Sequence, residues 1–212
     1  MIRSAFFSLL AATTLLVQCA EAPEATMVKS GEPMQESAIS GDHVHVLDTS
    51  ASKIDWIGTK ITGQHHGSIT FKSGQLAMQG QKILGGEFIL DMDTLHVHDL
   101  EGEMKGKLEK HLRDTDFFEI SKYPEGKLVI TEVSPASDGQ FNARGNLTLR
   151  GVTRSIAFPV TIETKNGMPA KVSGEFNINR QEWGIVYKGK PDDAIRDEVN
   201  IKPNLVFDPA QN

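Results

Sequence analysis

Beyond about residue 43 the chain alternates apolar and polar positions with a period of two. Phe141, Ala143, Gly145, Leu147 and Leu149 fall on one side of an extended segment, as do Ile156, Phe158, Val160 and Ile162. Val172, Gly174, Phe176 and Ile178 repeat the pattern, and so do Val199, Ile201, Leu205 and Phe207. Between them stand Ser155, Thr161, Glu163, Lys171, Ser173, Glu175, Asn200 and Lys202. One apolar face and one wet face is the mark of an antiparallel sheet covered on one side only. Earlier strands are expected at 43–48, 53–62, 67–79, 82–94 and 126–134, about eight or nine in all. Ser137-Asp138-Gly139 and Lys165-Asn166-Gly167 read as hairpin turns, so consecutive strands should be neighbours. Gly85-Gly86 reads as a turn or bulge.

One helix interrupts the strands. Leu100, Met104, Leu108 and Leu112 recur every four residues, with charged residues between them. Asp99 offers an N-cap, and the basic residues of the last turns suit the helix dipole. A sheet this long must bury its apolar face, either against a second sheet or by closing on itself. An immunoglobulin-like sandwich fits less well, since the chain has no cysteine pair and carries a mid-chain helix. The expectation is an all-β fold, an eight-stranded antiparallel barrel with one helix near its mouth. Such a barrel is just wide enough to be filled by side chains or to hold one small ligand.

The first residues have another texture. Met1-Ile2-Arg3 is followed by an apolar run from Ala5 to Val17, too short to span a bilayer but long enough for a secretory signal core. It ends at Gln18-Cys19, and Cys19 is the only cysteine. A lone cysteine in that place resembles the lipobox of bacterial lipoproteins, with residues 1–18 cleaved and Cys19 lipidated. The alternatives are an ordinary secretory signal with an incidental cysteine, or a cytosolic start with a chance apolar run. Residues 20–42 hold five acids and two prolines and read as a disordered acidic tether. The expected folded domain is 43–208, on the periplasmic or surface side of a bacterial envelope.

Charge and composition narrow the chemistry. The net charge is −6, and without basic clusters the chain is a poor partner for nucleic acid. With Cys19 acylated no thiol is left, which removes disulfides, cysteine nucleophiles and thiolate metal sites. There is no G-x-S-x-G elbow and no glycine-rich phosphate cradle, and Asp91 and Asp93 read as a solvated face. The seven histidines include the i, i+2 pairs His43/His45 and His96/His98, the adjacent His65 and His66, and His111 on the helix. Imidazole clusters bind zinc, copper or iron, so a metal- or haem-associated envelope protein is a competing reading. An enzyme acting on an isoprenoid is a third. No resident metal or cofactor is expected. Eight phenylalanines and both tryptophans lie in the domain, either as packed core or as the lining of an apolar pocket.

An ordered set of short motifs carries a family resemblance. Leu47-Asp48-Thr49, Ile54-Asp55-Trp56 and Gly63-Gln64-His65-His66-Gly67 come first, then Gly86-Glu87-Phe88 with Asp91-Met92. His111-Leu112, Asp116-Phe117-Phe118 and Tyr123-Pro124 follow. Next are the run from Gly145 to Thr153, Phe158-Pro159-Val160, Asn179-Arg180 with Trp183-Gly184, and Asp197-Glu198-Val199. From about Val44 to Phe207 the chain resembles the YceI-like family of secreted or periplasmic bacterial proteins. That resemblance implies a lipocalin-like barrel with a deep apolar cavity for polyisoprenoid, quinone-like or fatty-acyl chains, and no established catalysis. The cavity lining is expected from Phe88, Leu108, Leu112, Phe117, Phe118, Phe158, Phe176 and Trp183. His65, His66, His111 and Arg180 match family positions and are candidates for a lipid headgroup. The expected partners are an apolar lipid, the membrane through Cys19 and, as an option, a second copy of the chain in a homodimer.

Overall fold

The computed structural model describes residues 21–36, 40–137 and 139–207. The expected signal segment, Cys19 and Asp138 of one expected turn lie outside the described residues. In chain order the elements are β1 (Thr26–Met27), β2 (His43–Val46), β3 (Lys53–Lys60), β4 (Gly63–Gln79), β5 (Lys82–Val97) and α1 (Gly102–Arg113). Then come β6 (Glu125–Pro135), β7 (Gln140–Leu149), β8 (Val152–Lys165), β9 (Met168–Ser173) and β10 (Phe176–Asn179). A 3₁₀ turn (Arg180–Trp183), β11 (Gly189–Lys190) and β12 (Asp193–Val206) complete the chain. No helix among the described residues is long and apolar enough to cross a membrane.

Strands β3 to β9 pair antiparallel in sequence order, and β12 closes the ring by pairing with both β3 and β9. Strand β10 also pairs with β12, so β9 and β10 are two halves of one interrupted strand. Counted that way, the wall is the expected eight-stranded barrel. Short hairpins make this order inevitable. At β7–β8 the two-residue loop Arg150-Gly151 takes positive φ at both positions, 50° and 73°, which matches the twist of the flanking strands. Gly85-Gly86 lies within β5, where the β4–β5 register shifts beside Ile83; it is a bulge and not a turn.

The alternating apolar faces meet inside. Phe71, Phe88, Phe158, Phe176, Trp183 and Phe207 belong to one buried cluster. Close approach of strands fixes Gly67, which stands between Trp56 on β3 and Val97 on β5. A Cβ there would lie 1.8 Å from the His96 carbonyl oxygen and 2.6 Å from the Trp56 ring.

Two expectations at the chain's edges are corrected. Helix α1 starts at Gly102 with Glu101 as its N-cap and no side-chain cap bond, so Asp99 is not the cap. Its carboxylate accepts from the His66 amide at 2.9 Å and lies 2.7 Å from His65 Nδ1, tying the helix approach to β4. The segment read as a disordered tether is laid along the barrel over residues 21–36. There β1 pairs parallel with β10, and Gly31 forms a bridge with Ser155 of β8. Barrel side chains supply the anchors that composition does not show. Asn146 accepts from the Met34 amide and donates to the Met34 carbonyl and Glu36.

Replacing Gly67 by alanine is expected to cost roughly 1–3 kcal/mol of stability, because backbone and indole must both move. Urea unfolding checks this; an unchanged midpoint would show that the β4–β5 contact is slack.

Candidate functional site: an apolar cavity in the barrel

The inward faces do not fill the barrel. They leave a cavity of about 200 Å³. Its walls come from every barrel strand, with Ile54, Ile69, Leu90, Met92, Leu128 and Ile130 among the aliphatic contributors. Small residues make the room. Ala143 and Gly58 both line the space, and a Cβ at Gly58 would meet nothing within 4 Å. A water-sized unit takes about 10–15 Å³, so the cavity accommodates on the order of fifteen units of methylene girth. An apolar cavity of this kind stays dry.

Phe88, Leu112, Phe117, Phe118, Phe158, Phe176 and Trp183 all border the cavity. Leu108 does not, and that expectation is corrected. Residues four apart advance about 40° round a helix at each step, so the Met104–Leu108–Leu112 stripe spirals away from the wall. Met104 ends up 61% exposed and only Leu112 reaches the interior. The aliphatic lining was not singled out in the sequence, although the same period-two faces contain it.

One end of the barrel is stoppered by rings and a polar brace. His111 packs edge-on against Phe117 and Tyr187, with centroids 5.0 and 4.9 Å apart, and its Nε2 lies 3.0 Å from Asp116. Trp183 donates its indole N–H to the Leu147 carbonyl at 2.9 Å. Arg150 donates to the Thr115 and Gly184 carbonyls, joining the segment after α1 to the 3₁₀ turn. Phe88 and Phe207 meet edge to face at the other end, next to buried Leu47.

The four headgroup candidates separate. Only Arg180 borders the cavity. It is 4% exposed, and its guanidinium donates to the Arg196 carbonyl, the Ile185 carbonyl and Asp197. Burial pulls its pKa down, and Asp197 opposes that. The bonds make Arg180 first a brace for the loop from 180 to 197. His65 and His66 sit outside on β4 with Asp99. Partial burial works to raise that carboxyl, but the bonds from His66 and His65 outweigh it and hold it below the usual range. His96, His98, Lys105 and Glu109 continue this polar surface. Among the described residues no three His, Cys, Asp or Glu side chains come together in a way that would hold a metal ion.

A closed antiparallel barrel with stoppered ends and an apolar interior defines a lipocalin-like cavity protein. Residues 45–207 match the model of the YceI-like domain, and the chain belongs to the YceI-like family. Its relatives include a UPF0312 protein of Pseudomonas putida, 23% identical over 142 residues, 65% of this chain and 72% of the relative. A UPF0312 protein of Shewanella denitrificans is 28% identical over 144 residues, 64% and 69% of the two chains. Among solved structures, BcnA of Burkholderia cenocepacia aligns with a TM-score of 0.62 at 23% identity, over 76% of this chain and 98% of that one. A polyisoprenoid-binding domain from Saccharophagus degradans aligns with a TM-score of 0.60 at 14% identity, over 79% and 98%. Both share the fold.

The i, i+2 pair on β2 divides: His43 is exposed, whereas His45 is 2% exposed with no partner at either ring nitrogen among the described residues. Burial first, and then His43, lowers its pKa. The unfolded chain therefore binds the proton more readily, so His45 should cost stability as pH falls below its unfolded value, about 6.5. In His45→Leu the fall in urea midpoint between pH 7 and pH 5 should be shallower than in the parent. Equal slopes would mean that His45 does not contribute to the acid limb.

Proposed function

We propose that this protein is an envelope lipoprotein, tethered by Cys19, that holds a polyisoprenoid, quinone-like or fatty-acyl chain in its barrel as a carrier or store. The observation that supports this most is the cavity, whose exposed lining is apolar and which is crowded by aromatic rings toward both ends. Membership of the YceI-like family and the shared fold of a polyisoprenoid-binding domain point the same way. The magnitude is adequate. Burying fifteen methylenes gives about 12 kcal/mol at about 0.8 each. Association costs of about 4 kcal/mol or more set the ceiling near a micromolar Kd for a chain of that length. The protein is a binding protein in this reading. The residues round the cavity brace backbone carbonyls and form no nucleophile or acid–base pair aimed into it. Cys19 follows a signal core, and acyl chains on it would hold the domain at a membrane.

Native mass spectrometry of the gently extracted protein should show an additional apolar mass, or show one after titration with prenols and long-chain fatty acids. A spectrum that stays apo throughout would refute the reading. Filling the cavity through Gly58→Phe should weaken binding of the same chains at least tenfold with little change in urea midpoint. Undiminished binding would put the ligand elsewhere.

A further inference from the structure

The barrel wall has a seam. Strand β8 pairs with β7 over its whole upper part, Val152 to Thr161, but with β9 only from Thr161 to Lys165. Strand β10, the continuation of β9, pairs with β12, and no β8–β10 ladder joins the two. The split begins at Gly174, where a Cβ would lie 2.8 Å from the Pro159 carbonyl oxygen and 3.7 Å from the Pro203 ring. Prolines on both flanking strands remove amides that a continuous ladder would use. Above the split, Ile156 and Phe158 on one lip and Phe176 and Ile178 on the other all line the cavity. The Phe158 and Phe176 rings meet across the seam at 4.7 Å.

The N-terminal segment occupies this gap. Thr26 and Met27 pair with Phe176 and Asn177, and the Val28 amide donates to the Asn177 carbonyl at 2.8 Å. Three residues later Gly31 exchanges both backbone bonds with Ser155 at 3.0 and 3.1 Å. The segment thus crosses from one lip to the other. Val28 is its one fully buried side chain and packs into the barrel core. Two side-chain amides on the wall are committed to it: Asn177 donates to the Pro23 carbonyl, and Asn146 takes both polar groups of Met34. Everywhere else in residues 21–36 the side chains are exposed or half-exposed.

We propose that the β8–β10 seam is a lateral portal through which a lipid chain enters and leaves the cavity, with the segment 23–34 as its removable wall. Buried Phe117 and Trp183 crowd the α1 end, and Phe88 and Phe207 crowd toward the other. The other neighbouring wall strands share a ladder over at least part of their length, whereas β8 and β10 share none. Opening the seam breaks only the short β1–β10 pairing, the Gly31–Ser155 bridge and the two asparagine clamps, and uncovers Val28 and the Phe158–Phe176 contact, less than parting a continuous ladder requires. The geometry also places the portal. Pro23 itself sits beside the seam, its carbonyl accepting from Asn177 of β10 at 3.0 Å. Four residues of chain reach at most about 14 Å, so an acylated Cys19 would hold the foot of the seam at the membrane. This inference rests on the lipid-binding reading above.

The test uses the full chain carrying Cys19→Ser and an added pair, Gly31→Cys with Ser155→Cys. A Cβ at Gly31 would lie 2.9 Å from Ser155 Oγ, close enough for the pair to be bridged. Stopped-flow transfer of the fluorescent fatty acid cis-parinaric acid from phosphatidylcholine vesicles is measured oxidised and reduced. The oxidised form should take up and release the probe at least tenfold more slowly, with the same binding at equilibrium. Independently, Asn146→Ala with Asn177→Ala should speed exchange at least threefold without disturbing the β7–β8 ladder in hydrogen exchange. Equal rates in all forms, with binding intact, overturn the portal and leave the lipid-binding reading standing. No binding at equilibrium in any form overturns the lipid-binding reading itself and the portal with it.

Discussion

Everything in this fold follows from the need to hide one side of a long antiparallel sheet. With no second sheet to cover it, the apolar face can only turn inward on itself, and the β12 pairings to β3 and β9 complete that turn. Closure settles the edges, since nearly every strand then has two neighbours. It also sets a radius that the side chains must fill. Phe88, Leu95 and Trp183 crowd inward, while Gly58 and Ala143 stop short. The cavity is what remains when a ring of eight strands is closed over residues too small to meet at its axis.

The polar residues around that space answer a second constraint, that buried donors and acceptors must be paired. Toward the α1 end, carbonyls of the loops and of the ends of β7 and β12 take side-chain donors. Arg150 and Arg180 meet them with several donors each, and Trp183 adds one more. Such bonds stiffen the stopper without placing a polar group in the path of an apolar chain. The same logic explains why Arg180, although it borders the cavity, is largely spent on the protein's own backbone.

How much of this was legible depended on the range of the interaction. Strand positions were readable because burial alternates residue by residue, and the hairpins because turn glycines act locally. Leu108 was misplaced because a four-residue spacing looks like one helical face while drifting round the axis. Asp99 looked like a cap because aspartate before a helix often is one, yet its partners His65 and His66 sit more than thirty residues earlier. Residues 21–36 were the hardest case. Their own composition is acidic and sparse, and what orders them is Asn146 and Asn177, more than a hundred residues away. Nothing in the segment announces those amides, just as nothing in Asn146-Leu147-Thr148 announces what it grips.

The seam shows why such a distant arrangement is useful. A barrel that sequesters an apolar chain must be closed to water, and ladder closure on every side would make exchange as slow as unfolding a strand. Lipid transfer and a sealed wall are compatible only where the wall is built from a part that can leave. Here the strand that would have sealed β8 is broken at Gly174 between two prolines, and the missing length is supplied by the chain's own beginning. The polar clamps give that part a defined seat, while its single buried valine keeps the cost of departure low. The proposed opening of the cavity is thus closed by a piece of the same chain and not by a ladder of the wall.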